Sequence, residues 1–217
     1  ETLSNRASLG YEHAAQFSGF DAANLDLCNS VASHEAGASD TPLETIKTLV
    51  ELQAETRKEP WLLFITTRAD RGAVKRSVVT SLFSVLRGNL ERNKTFRNKV
   101  GQAALFDAAA IQAELRMQSR LTDDAFVRAF GIAFAKWLLK LSVQAWSLQL
   151  EISACYRVVR RRQSPDMLSL AFRFESLPVR IIDPVGLVPE RRSPAPPPVP
   201  QEADLAVQLL DRFTKVV

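Results

Sequence analysis

The sequence predicts an α/β fold: a mostly parallel sheet with a carboxy-terminal antiparallel β-hairpin and flanking helices. Two apolar runs, Phe20 to Leu27 and Trp61 to Thr67, enclose one amphipathic helical pattern, the strand, helix, strand order of a right-handed βαβ unit. Further on, WSLQLEISACYRVV alternates apolar and polar residues, and MLSLAFRFES alternates again after the polar turn RRRQSPD, which makes an antiparallel pair. The residues between these signals follow helical periods.

Residues 1–19 carry Gly, Ser and Asn without a sustained period and read as a connecting segment. The first strand, about Phe20 to Leu27, is apolar at Phe20, Ala22, Ala23, Leu25 and Leu27, as suits a strand covered on both faces. It ends in Asn24, Asp26, Cys28, Asn29 and Ser30. Such residues either cap a turn through their own side chains or line the crevice beyond the carboxyl ends of parallel strands. Thr41, Pro42 and Glu44 then supply an N-cap, a first-turn proline and a capping-box acid. Leu43, Ile46, Leu49, Val50 and Ala54 form the apolar stripe of that helix, which ends before Pro60.

WLLFITT is the second buried strand, rich in aromatic and β-branched residues. From Asp70 a helical stripe of Val74, Val78, Leu82, Val85 and Leu86 runs to near Gly88, and shorter helical pieces follow at Phe96–Leu105 and Asp107–Ser119. Thr122, with Asp123 and Asp124 in the first turn, starts a long apolar helix whose acidic start matches the helix dipole. Arg128, Lys136 and Lys140 interrupt that segment, each at a cost of a few kcal/mol at mid-bilayer, so it reads as a buried helix and no membrane span is expected. In the hairpin, Trp146, Leu148, Leu150, Ile152, Ala154, Tyr156 and Val158 are expected on one face. Pro178–Pro189 reads as an added edge strand closing an α/β domain of residues 20–189. Residues 190–201 are a Pro-rich linker, and 202–217 a terminal amphipathic helix with Leu205, Leu209, Leu210, Phe213 and Val216 on one face.

At 217 residues, 46% hydrophobic and 24% charged, the chain has the composition of an ordinary globular protein. Two cysteines, Cys28 and Cys155, form neither a disulfide framework nor a metal motif. They read as core residues of a protein from a reducing, cytoplasmic setting. His13 and His34 stand alone in sequence and read as exposed side chains, and no metal site is expected. The net charge of +4 permits a polyanionic partner such as DNA or RNA. Basic residues cluster at Lys75 and Arg76, at Arg87 to Lys99 and at the hairpin turn, where Arg160, Arg161 and Arg162 can meet phosphates, with Phe96 as a stacking face.

The order of these elements resembles the carboxy-terminal half of class I, Rossmann-like S-adenosylmethionine-dependent methyltransferases, over roughly Phe20 to Ser176. In that family the last two strands form a hairpin tucked into an otherwise parallel sheet. FDAANLDLC corresponds to its fourth strand, WLLFITT to its fifth, and the hairpin to its sixth and seventh. The resemblance implies a methyltransferase, or a protein derived from one, that acts on nucleic acid with S-adenosylmethionine as cofactor. It implies Asp26 and Asn24 as catalytic residues, with Arg68 and Asp70 beside them and Arg160 to Arg162 on the phosphate backbone. The family's glycine-rich cofactor loop has no counterpart here, since the eight glycines include no GxGxxG, and part of the cofactor pocket is expected to be missing from this chain. The family's proline-containing motif after the fourth strand is likewise replaced by Asn24-Leu25-Asp26-Leu27-Cys28.

The alternative is a non-catalytic nucleic-acid-binding or scaffold subunit that docks a protein partner through its terminal helix. Thr67-Arg68-Ala69-Asp70 is similar to the base-reading turn of P-loop GTPases, and Ile152-Ser153-Ala154 to a later turn of theirs. The phosphate-cradling GxxxxGK[ST] does not occur, and neither does the GxSxG elbow of hydrolases.

Overall fold

A computed structural model describes residues 3, 5–104, 121–158 and 164–177. The elements are α1 (Leu9–Gln16), β1 (Ala22–Asp26), α2 (Pro42–Thr56), β2 (Trp61–Arg68), α3 (Arg76–Arg92), α4 (Lys94–Ala104), α5 (Asp123–Ser142), β3 (Trp146–Tyr156) and β4 (Met167–Ser176). The fold is α/β, with one four-stranded sheet in the order β1-β2-β4-β3.

Helix starts follow local chemistry. The Thr41 hydroxyl accepts the Glu44 N–H at 3.1 Å and the Glu44 carboxylate accepts the Thr41 N–H at 3.5 Å, which completes the capping box of α2. Thr122 caps α5 through the Ala125 N–H at 3.3 Å. Helix α3 runs through Gly88 to Arg92 because Phe83, Leu86 and Leu90 continue its buried stripe. Residues 9–16, expected within a connecting segment, form α1 instead. Ser8 caps it, and it buries no residue, so no apolar period marks it. The helical piece expected at 107–119, the edge strand, the Pro-rich linker and the terminal helix lie outside the described residues. Among the described residues, no helix is long and apolar enough to cross a membrane.

The sheet departs from expectation in three ways. It is not mostly parallel, since β1 and β2 pair in parallel while β4 is antiparallel to both β2 and β3. The second hairpin strand lies beside β2 and the first at the sheet edge, so β1, β2 and β3 point one way and β4 alone is reversed. Composition accounts for that choice. Strand β4 is apolar on both faces at Leu170, Ala171 and Phe172, as a central strand needs, whereas β3 carries Gln149 and Glu151 and sits at the edge.

The second departure is a β-bulge between Leu150, opposite Phe172, and Ile152, opposite Ala171. The extra residue, Glu151, reverses the parity of the strand beyond it. Trp146, Leu148 and Leu150 enter the core as expected, but Ser153 and Cys155 follow them inward, while Ile152 and Tyr156 turn outward. Val158, beyond the strand, is exposed as well.

Third, the sheet is covered on one face only among the described residues. The buried sides of α2, α3 and α5 share a single core with Leu63, Ile65, Leu148, Leu150, Leu170 and Phe172. Ala23 and Leu25 of β1 pack on that core, whereas Ala22, Asn24 and Asp26 are exposed, so β1 is not buried on both faces. At the amino end of β2, Trp61 stacks on Phe174 with ring centroids 4.2 Å apart, and Trp146 meets Phe174 edge-on. Phe172, fully buried on the central strand, is expected to cost about 3–5 kcal/mol on replacement by alanine. A urea midpoint shifted at unchanged slope would register that loss.

Candidate functional site

Strands β1 and β2 end together, and the chain leaving β1 is tied down over the end of β2. The Leu27 N–H donates to the Thr66 carbonyl at 2.8 Å, extending the ladder by one step. The loop then folds inward. The Val31 N–H donates to Thr67 Oγ1 at 2.7 Å, and Thr67 Oγ1 lies 3.4 Å from the Asn29 carbonyl oxygen. The Ala32 N–H donates to Ser30 Oγ at 3.1 Å, and the Ala32 carbonyl accepts the Lys75 N–H at 2.7 Å. Asn29 and Ser30 therefore build a turn that seats Val31 and Ala32 in the core.

Past β2, Asp70 organises the next turn. Its Oδ2 accepts from Arg68 Nε at 3.2 Å and Nη2 at 2.8 Å, and its Oδ1 accepts the Gly72 N–H at 3.2 Å. A Cβ on residue 72 would meet Asp70 Oδ1 at 3.2 Å, so glycine lets the carboxylate close this turn. Arg71 reaches across to α5. Its Nε donates to Asp123 Oδ1 at 3.1 Å, its Nη2 donates to the Leu121 carbonyl, and its guanidinium lies 4.4 Å from the Phe126 ring centroid. Asp70, Arg71, Gly72, Asp123, Val127, Ser164 and Pro165 line an open cleft of about 530 Å³ at the carboxyl end of β2.

Asp166 anchors the other wall, a role not expected from the polar turn RRRQSPD. Buried just before β4, its Oδ1 accepts the Val158 N–H at 2.8 Å. Its own N–H donates to the Tyr156 carbonyl, and its carbonyl accepts the Ala69 N–H. The one available sequence signal was an aspartate placed directly before an alternating run, where Asx side chains bond nearby backbone.

Of the expected site residues, the structure brings Arg68 and Asp70 together as an ion pair. Asn24 and Asp26 are exposed on the sheet face away from the helices, in register with Phe64 and Thr66. Arg160, Arg161 and Arg162 lie outside the described residues. Phe96 is buried at the α3–α4 junction and offers no stacking face. The basic clusters also divide. Lys75 and Arg76 start α3, whereas Arg92, Lys94, Arg97 and Lys99 lie near its far end, about 25 Å away along the helix. Both histidines are exposed, and the described residues contain no group of three potential metal ligands.

Cys28 is exposed and not a core residue, because it falls in the turn after β1. Burial pushes the Cys155 thiol up to about 11, with Arg128 lowering it and Asp124 raising it. Burial disfavours the thiolate, so at pH 8 only about 0.1% of Cys155 is reactive. Iodoacetamide at pH 8 is expected to modify Cys28 rapidly and Cys155 only as the pH approaches 11 or the chain unfolds, a difference that peptide mass analysis resolves. Thr67→Val would leave the Val31 N–H buried without its acceptor, at a cost of about 1–3 kcal/mol in denaturant unfolding.

No curated protein and no solved structure is found to be similar to this chain. A family model does match, over residues 1–217, and the chain belongs to the PP_RS20740-like family.

Proposed function

We propose that the chain is a methyltransferase-derived α/β domain that acts on nucleic acid. The observation that carries this reading is the topology: three strands aligned in one direction, with a single reversed strand inserted between the second and third. It supports the likeness to the Rossmann-like hairpin-bearing sheet of class I methyltransferases. The basic groups at one end of this sheet support the choice of partner. Arg68, Arg71, Lys75 and Arg76 follow the carboxyl end of β2, and the β3–β4 turn carrying Arg160, Arg161 and Arg162 leaves the sheet at that same end, since Tyr156 pairs Met167 and Met167 pairs Arg68.

S-adenosylmethionine is the cofactor that the methyltransferase resemblance implies. The described residues do not by themselves suit it. The carboxylates of the cleft, Asp70 and Asp123, are engaged by Arg68 and Arg71, and Asn24 and Asp26 project from the sheet face instead of meeting in that cleft. This placement favours, as a second reading of the same fold, a non-catalytic nucleic-acid-binding or scaffold subunit.

Two measurements on the full chain test these readings. Oligonucleotide retention is expected to weaken steeply with salt, and replacing Arg160, Arg161 and Arg162 together by alanine is expected to lower affinity for all sequences alike and flatten the salt dependence. Retention unchanged by that triple replacement would remove the hairpin turn from the interface. Calorimetric titration with S-adenosylmethionine separates the two readings, since heat of binding supports methyl transfer and its absence supports the scaffold.

A further inference from the structure

The sheet face opposite the helices carries exposed large apolar side chains among its polar ones. Phe64, Ala171 and Ile152 lie abreast across β2, β4 and β3, and Met167 and Tyr156 pair nearer the hairpin turn, beyond the row of Thr66, Ser169 and Ala154. Ile152 is 57% exposed, Tyr156 39% and Phe64 36%. Two of these reach that face only because the bulge at Glu151 turns them outward. An edge strand that spends a bulge on moving an isoleucine and a tyrosine from the core to the surface marks a face built to be covered.

The geometry points to the chain's own carboxy-terminal segment, residues 202–217, as the cover. Its sequence places Leu205, Leu209, Leu210, Phe213 and Val216 at helical spacing, with Glu202 and Asp204 before them and Asp211, Arg212 and Lys215 between them. A helix of that length measures about 24 Å. The row of Phe64, Ala171 and Ile152 and the row of Tyr156 and Met167 lie about 13 Å apart, a distance that a helix of that length spans. Reach is ample. Strand β4 ends at Ser176, and a Pro-rich sequence of the length that runs up to Gln201 can span about 3 Å per residue, farther than the full length of the strand it must travel back along. Tethering also gives the segment a millimolar effective concentration, which a second copy of the chain does not reach in dilute solution.

Disulfide trapping in the full chain tests this assignment. In a Cys28→Ser background, with the buried Cys155 thiol left in place, Ile152→Cys is combined with Leu209→Cys, and separately Phe64→Cys with Phe213→Cys. Mild oxidation is expected to join each pair within one chain at a yield independent of protein concentration. Bonds between chains would assign the face to a second copy, and no bond in either pair would assign it elsewhere; both outcomes overturn the proposal. A second measurement uses the dye 8-anilinonaphthalene-1-sulfonate, whose fluorescence with the full chain is expected to rise several-fold on Leu209→Asp and Phe213→Asp together. Fluorescence unchanged by those charges would also overturn the proposal.

Discussion

Strand β4 is paired along both of its edges, to β2 on one side and β3 on the other, and everything else in the sheet hangs on that double pairing. It joins residues 61–68 to 167–176, so a loop that includes α3, α4 and α5 must close before the sheet exists. What makes the closure favourable is apolar on both sides of the strand. Leu168, Leu170, Phe172 and Phe174 enter the core beneath α5, while Ala171 fills the opposite face between Phe64 and Ile152. Asp166 fixes the register at one end through Ala69 and Val158, and the Trp61–Phe174 stack fixes it at the other.

The same seam positions the cleft. With β4 beside β2, the turn after Arg68 and the turn before Met167 face each other, and the amino end of α5 closes the third side through Arg71 and Asp123. Each charged group of this cleft is tied to another. Arg68 holds Asp70, Asp70 holds the Gly72 N–H, and Arg71 holds Asp123. Such a network makes rigid walls more readily than it makes a proton-transferring centre, because a general acid or base needs a lone pair or proton left available.

Helices α2 and α5 were legible because their signals are local. Thr41 with Glu44, and Thr122 with Asp123 and Asp124, state where α2 and α5 begin within a few residues of sequence, and the apolar stripes state which side is buried. The strands were legible as strands for the same reason, since alternation is a property of neighbours. The candidate site was less so. Arg68 and Asp70 are two residues apart and their pairing is almost a local event, whereas the contribution of Asp166 depends on Ala69 and Val158 meeting it from two different strand ends.

By itself, the sequence determined that the protein is α/β, where α2, α3, α5 and the four strands lie, and that Trp146 to Tyr156 and Met167 to Ser176 pair as a hairpin. Only the tertiary structure decided which hairpin strand meets β2, that Glu151 bulges, and hence that Ile152 and Tyr156 leave the core. The physical reason is that periodicity records the two sides of a strand but not its neighbours. One residue inserted against a partner strand reverses those sides without changing a single letter of the pattern.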